Sequence, residues 1–278
     1  MSTAHALARP ASGPANIGDH LREWRQRRHL SQMDLANEAD ISTRHLSFIE
    51  TGRAAPSRDM VMRLAERLDV PLRERNVLLV AAGFAPAFKQ RSLDDPALKA
   101  ARDAVDIVLK AHEPYPALAV DRHWSLVAAN AMVMPLLEGV SPSLLAGPIN
   151  VMRLGFHPEG LAPRTVNLAE WCGHLLERLR HQIDATADPQ LITLYDELKT
   201  YPIPARAARE RRPADSVAIP FQVRFNATVL SFISTTMVFG TPVDITLSEL
   251  ALETFFPADD ATATALREIA AQLKTARL

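Results

Sequence analysis

Cysteine is almost missing from this chain: Cys172 stands alone among 278 residues. One thiol excludes an intrachain disulfide and any zinc site built on several cysteines, and it suits a reducing compartment. Glycine is scarce as well, with ten residues, and none forms a G-x-S-x-G elbow or a phosphate-cradling loop. No H-E-x-x-H occurs. The common signatures of nucleophilic, nucleotide and zinc-hydrolase chemistry are therefore lacking, and no enzyme is expected. No run approaches the roughly 18 consecutive apolar residues of a membrane helix. Residues Met1–Asn16 are rich in Ala, Ser and Pro without the apolar centre of a signal peptide. The expectation is a soluble, cytoplasmic protein without membrane contact, carrying a disordered tail over residues 1–16.

Net charge is small too, −1 overall, so the molecule as a whole gives no polyanion-binding signal. Its distribution is more informative. Up to Arg91 there are 14 Lys or Arg against 10 Asp or Glu, a net +4; beyond it there are 17 against 22, a net −5. With 47% hydrophobic residues, the length is ample for two domains. Between Ala85 and Asp95 the composition turns to Pro, Lys, Gln, Ser and Asp with no apolar period. Residues 85–95 thus read as a linker between a basic domain at 17–84 and a larger one at 96–278.

The first domain reads as all helical. Ile17, Leu21 and Trp24 recur at helical spacing, followed by Leu35, Ala36 and Ala39, then Leu46 and Ile49, then Val61, Leu64, Ala65 and Leu68. Ser31, Ser42 and Ser57 stand where N-caps belong, Gly52 where a helix must stop, and Pro71 can open a last helix running to Gly83. In the larger domain the spacing predicts a helix over Pro96–His112 and a hairpin with a following helix around Pro116–Asn130. Leu144–Pro163 reads as loop, and Val166–Ile183 and Asp188–Tyr201 as helices. Extended runs follow at Val217–Phe225, Thr228–Phe239 and Leu250–Phe255, with a closing helix from Asp259 to Leu273. Strands at both ends with helices between them predict an α+β domain, an antiparallel sheet flanked by helices.

The segment from Ser31 to Arg53, two short helices around Asp40-Ile41-Ser42 with Gln32, Glu50 and Gly52 in place, resembles the helix-turn-helix of the phage-repressor-like (XRE) regulators. The likeness covers roughly Ile17 to Leu68 and implies a lambda-repressor-like domain that binds double-stranded DNA and regulates transcription. It implies that the helix beginning at Thr43 enters the major groove. Thr43, Arg44 and Ser47 would then meet base edges, with Phe48 one turn further on and Ser42 at the turn. Arg44 suits a guanine, whose O6 and N7 match the guanidinium fork. His45 lies within reach of a base or a phosphate, and Phe48 suits either a thymine methyl or simple packing. Ser31 and Gln32 at a helix start, with Arg53 and less directly Arg58, are phosphate contacts that position without reading sequence. Arg25 and Glu50 match positions that pair across the motif.

A second resemblance extends past the linker. Tyr115-Pro-Ala-Leu-Ala-Val-Asp-Arg-His-Trp and Phe255-Phe-Pro-Ala-Asp are similar to the MmyB-like bacterial regulators, over about Ile17 to Leu273. This implies that the larger domain is a PAS-like sensor that dimerises and binds an apolar, fatty-acid-like small molecule. No other cofactor is expected. Trp124, Trp171, Leu175, Phe221, Phe232 and Phe255 are the wall residues such a pocket would use, although each also suits a plain core. In the loop Asn150 to Gly160, Arg153 could neutralise a carboxylate and His157 could donate to it. The plain alternatives are a surface ion pair and a loop-anchoring histidine.

Glu170, His174, Glu177 and His181 share one helical face at ligand-like spacing. Leu168, Trp171, Leu175, Leu179 and Ile183 claim the opposite face for the core, which leaves that stripe to solvent, and no metal is expected. The expected whole is a homodimer on a palindromic operator, with the ligand modulating DNA binding. The rival is a larger domain that only dimerises or holds a protein partner, without a small molecule.

Overall fold

The computed structural model describes residues 16–204 and 219–275. The expected tail, up to residue 15, and the start of the run at Val217 lie outside the described residues. The chain divides into two compact units between Lys89 and Gln90.

The first unit holds α1 (Ile17–Arg27), α2 (Gln32–Glu38), α3 (Thr43–Glu50), α4 (Arg58–Arg67) and α5 (Leu72–Ala81). Ser31, Ser42 and Ser57 each accept a hydrogen bond from the backbone N–H three residues on, closing the starts of α2, α3 and α4. Each such cap contributes about 1 kcal/mol. Gly52 ends α3 at φ +73, a backbone state that glycine adopts without a Cβ clash. Leu21, Leu35, Leu46, Ile49, Leu64 and Leu78 are wholly buried, at about 1.5–3 kcal/mol each. Helices α1 and α3 approach so closely that a Cβ on Gly18 would lie 2.5 Å from the Ile49 carbonyl oxygen. Asn76 fastens the segment after α5 by accepting from the N–H groups of Ala87 and Phe88 and donating to the Phe88 carbonyl.

The second unit opens with a 3-10 turn at Pro96–Leu98 that runs into α6 (Lys99–Ala111). A hairpin follows, β1 (Ala117–Val120) and β2 (Leu126–Ala129), then the short helices α7 (Val133–Leu136), α8 (Pro142–Leu145) and α9 (Val151–Phe156). Helices α10 (Leu168–Thr186) and α11 (Pro189–Leu198) precede β3 (Phe221–Phe225) and β4 (Thr228–Val238). The chain continues through α12 (Ile245–Ser248) and β5 (Ala251–Pro257) to α13 (Asp260–Thr275). The five strands form one antiparallel sheet in the order β2-β1-β5-β4-β3.

Strand alternation splits this sheet into two faces. On one face Leu118, Val120, Val223 and Phe232 join Trp171, Leu175 and Leu179 of α10 in the main core; on the other, Ala117, Ala119 and Leu252 pack against Val105 and Leu109 of α6. Asn130, buried at the end of the hairpin, donates to the Leu109 and Tyr115 carbonyls and accepts from Ala117 and Met132. Its amide fixes α6, β1 and the following turn to one another.

The stretch Leu144–Pro163, expected as loop, contains α9 and a 3-10 turn at Ala162–Arg164. Six residues are too few for a periodicity signal. The helix forms because Asn150 caps it through the Arg153 N–H and because Met152, Leu154 and Phe156 are buried.

Candidate DNA-reading face and ligand cavity

Helix α3 buries Leu46 and Ile49 and turns Thr43 and Arg44 to solvent, with Ser47 and Phe48 half-buried beside them. That division follows from 100° of rotation per residue. Arg44 and Arg53 both stand near the Phe48 ring, with guanidinium carbons 5.3 and 6.0 Å from its centroid. Two cations beside one aromatic ring are held outward at the start and just beyond the end of α3. Ser42 spends its hydroxyl on the His45 N–H, and His45 is half-buried. Arg58 is exposed in the first turn of α4.

Behind this face lies a buried carboxylate. Glu50 is 1% exposed and accepts from Arg25 at 2.7 and 2.9 Å and from the Gln32 amide at 2.8 Å. Arg22 donates to its carbonyl at 2.7 Å and stands 3.7 Å from its carboxylate. Burial pushes the Glu50 carboxyl up, but the bonds from Arg25 and Gln32 and the charges of Arg25 and Arg22 outweigh it and hold the group below its ordinary value. The hydrogen bond to Glu50 likewise raises Arg25. One carboxylate therefore ties α1, α2 and α3 together. Gln32, read from sequence as a phosphate contact, commits one amide N–H to this network. Ser31 accepts from the Asp34 N–H and donates its own N–H to the Asp34 carboxylate, and hydrogen bonding from the Ser31 side chain and backbone lowers Asp34.

In the second unit an apolar cavity of about 120 Å³ lies between α10, α9 and the sheet. Trp124, Trp171, Leu175, Phe221, Phe232 and Phe255, chosen from sequence as wall residues, all line it. Their rings touch in sequence: Trp171 to Phe221 at 5.1 Å, Phe221 to Phe232 at 6.2 Å and Phe232 to Phe255 at 6.1 Å between centroids. Trp124 sits at φ +66 in the β1–β2 turn, where Asp121 accepts from the N–H groups of His123 and Ser125. That conformation costs about 1–3 kcal/mol. It places the indole against the cavity, with its Nε1 donating to Gln182.

Arg153 and His157 are not part of this lining among the described residues. On α9 it is Val151, Met152, Leu154 and Gly155 that face the cavity, and the helical rotation turns Arg153 away. Arg153 binds Glu197 through two bonds of 2.7 Å, and the Tyr201 hydroxyl donates to the same carboxylate. The Arg153 bonds lower Glu197, while burial and the bond to Glu197 push Tyr201 up to about 12. His157 meets Tyr201 edge-on at 5.2 Å and accepts the Glu159 N–H. The two residues expected to hold a head group instead join α9 to α11.

The polar groups on the cavity among the described residues are Arg178, Ser234 and Glu253, which the sequence reading passed over. A signal existed for each. Arg178 continues the stripe Trp171, Leu175 at helical spacing, and Glu253 precedes Phe255 by the two residues that repeat a strand face. Arg178 donates to Glu253 at 2.6 and 3.1 Å and to Thr236 at 2.8 Å, with its guanidinium 4.6 Å from the Trp124 ring centroid. Glu177, on the stripe considered for a metal, pairs with Arg180 and stands 3.2 Å from His181.

Comparison with known proteins agrees with both halves of this description. A family model described as "Helix-turn-helix domain" matches residues 16–78. One described as "MmyB-like transcription regulator ligand binding domain" matches residues 101–269. No curated protein matches. Among solved structures, the clp gene regulator ClgR from Corynebacterium glutamicum aligns with 23% identity over 35% of this chain and 90% of its own, at a TM-score of 0.22. The family match covers more than half the chain, and the chain belongs to the MmyB-like transcription regulators as a DNA-binding regulator with a ligand-binding domain.

Proposed function

We propose that an apolar small molecule with a fatty-acid-like chain, its head group left open, enters the cavity of the second unit and modulates how a homodimer binds a palindromic operator. The observation that carries this reading is the cavity itself, aromatic and aliphatic on its walls with polar groups, among the described residues, confined to Arg178, Ser234 and Glu253, the composition of a small-molecule site. The antiparallel five-stranded sheet with helices inserted between its second and third strands supports the PAS-like reading. Thr43 and Arg44 read bases, with Ser47, Phe48 and His45 beside them, while Ser31, Gln32, Ser42 and Arg53 position the phosphates. The ligand acts by binding one arrangement of the dimer better than the other.

Organic extraction of the purified protein with mass spectrometry, followed by DNA binding with and without the recovered compound, tests this directly. Recovery of an apolar compound that changes operator affinity supports the proposal. An empty extract with no ligand-dependent change sinks it and leaves dimerisation as the second unit's task. The dimer has an observation of its own: Ile233 and Phe256, neighbours across β4 and β5, with Met237 and Val229, leave an exposed apolar stripe on the sheet face away from the cavity. Light scattering of variants with Ile233 and Phe256 changed to Ser would report loss of the dimer.

A further inference from the structure

Arg178 on α10 and Glu253 on β5 meet at the polar end of the cavity although 75 residues separate them. Both carboxylate oxygens of Glu253 are taken by the guanidinium, at 2.6 and 3.1 Å. Thr236, its register partner on β4, donates to the same carboxylate at 3.1 Å. Glu253 is 5% exposed. The one cation lining the cavity among the described residues is thus already neutralised from within the protein.

We propose that this pair makes the cavity selective for an uncharged apolar molecule, such as an alcohol, ester or amide, and excludes the matching carboxylate. The proposal rests on the reading that the cavity holds a small molecule, and it specifies the chemical class. A carboxylate must compete with Glu253 for Arg178. If it wins, Glu253 is left buried without its cation; if both share the guanidinium, two carboxylates lie within a few ångströms in an apolar site. Either arrangement is strongly unfavourable. An uncharged oxygen needs no such exchange. The bonds to Glu253 and Thr236 engage three of the five guanidinium N–H groups, so donors remain for a neutral acceptor, and the Ser234 hydroxyl lies on the same lining. Size adds a second limit. A cavity of about 150 Å³ accepts one benzene, so this one, at about 120 Å³, is slightly smaller than one benzene needs and must widen for 1-hexanol or any longer chain.

The test titrates the full-length protein at pH 7.5 with 1-hexanol, hexanoate, 1-decanol and decanoate. Tryptophan fluorescence reports on Trp124 and Trp171, and calorimetry provides the affinities. The expected result is that each alkanol binds at least about tenfold tighter than its alkanoate, and that Glu253→Gln, by freeing Arg178, raises alkanoate affinity to match or exceed the alkanol. An alkanoate binding the unaltered protein as tightly as the alkanol overturns this proposal and leaves the ligand-binding reading standing. Binding of neither series overturns both. A folded Glu253→Gln protein with unimproved alkanoate binding removes Glu253 from the argument. If that variant fails to fold, the alkanol-to-alkanoate ratio of the unaltered protein decides.

Discussion

Replacing Arg25 by Ala strips the buried Glu50 carboxylate of its two shortest charged contacts, at 2.7 and 2.9 Å, while the side chain stays inaccessible to water. Removing one partner of a buried pair costs about 3–5 kcal/mol. Gln32 at 2.8 Å and Arg22 at 3.7 Å remain, which places the loss near the lower end, about 3 kcal/mol. That is a large part of the roughly 5–15 kcal/mol available to a domain. Hydrogen exchange read by mass spectrometry on peptides from α1 and α3 isolates this unit within the full chain. A 3 kcal/mol loss should speed exchange of its core amides about 100-fold, while β4 and β5 keep their protection. The pH dependence carries its own sign. Because the Glu50 carboxyl is held below its ordinary value in the folded state, its contribution is fully present above the ordinary value near 4.5 and is lost as pH falls through the depressed one. Without Arg25, burial dominates and Glu50 protonates at higher pH, so the gap between variant and unaltered protein should narrow in acid. Exchange within tenfold of the unaltered protein at pH 7 would refute the reasoning. So would an Arg25→Met, Glu50→Leu double variant no more stable than Arg25→Ala, since removing both charges should restore most of the loss.

Arg44→Ala should cost about 1–3 kcal/mol against the specific operator and leave weak, salt-sensitive binding to unrelated DNA; anisotropy titrations at two salt concentrations would show an unchanged specificity ratio if Arg44 reads no base. Arg153→Ala should leave binding to the cavity unchanged within about twofold, and should lower stability by no more than about 1 kcal/mol, because the side chain is 43% exposed and its partner Glu197 can return to water. A tenfold loss of ligand affinity in that variant would return Arg153 to the site. Cys172 is buried and its thiol is pushed up to about 12 by desolvation, so a thiol reagent at pH 8 should label it only slowly in the folded protein and fully in denaturant.

The outward face of α3 was legible in the sequence because every determinant is local. A serine cap acts on an N–H three residues away, Gly52 permits the turn that follows, and the spacing of Leu46 and Ile49 fixes which side chains face out. The aromatic walls of the cavity were legible for a related reason: large apolar residues at helix and strand periods point inward whatever they meet there. Arg153 and His157 were misplaced because a basic residue in a loop-like stretch carries no sign that a six-residue helix will turn it toward Glu197. Arg178 and Glu253 are the opposite case. Each sits on an inward stripe, and only the packing of α10 across the β5–β4 ladder brings the two charges within 2.6 Å. Sequence by itself determined that this chain joins a helix-turn-helix domain to a domain with an apolar interior, since caps, periodicity and side-chain type are local properties. Tertiary structure alone decided that the cation on the cavity lining is paired, because neutralisation of one ion by another depends on a distance that no sequence separation encodes.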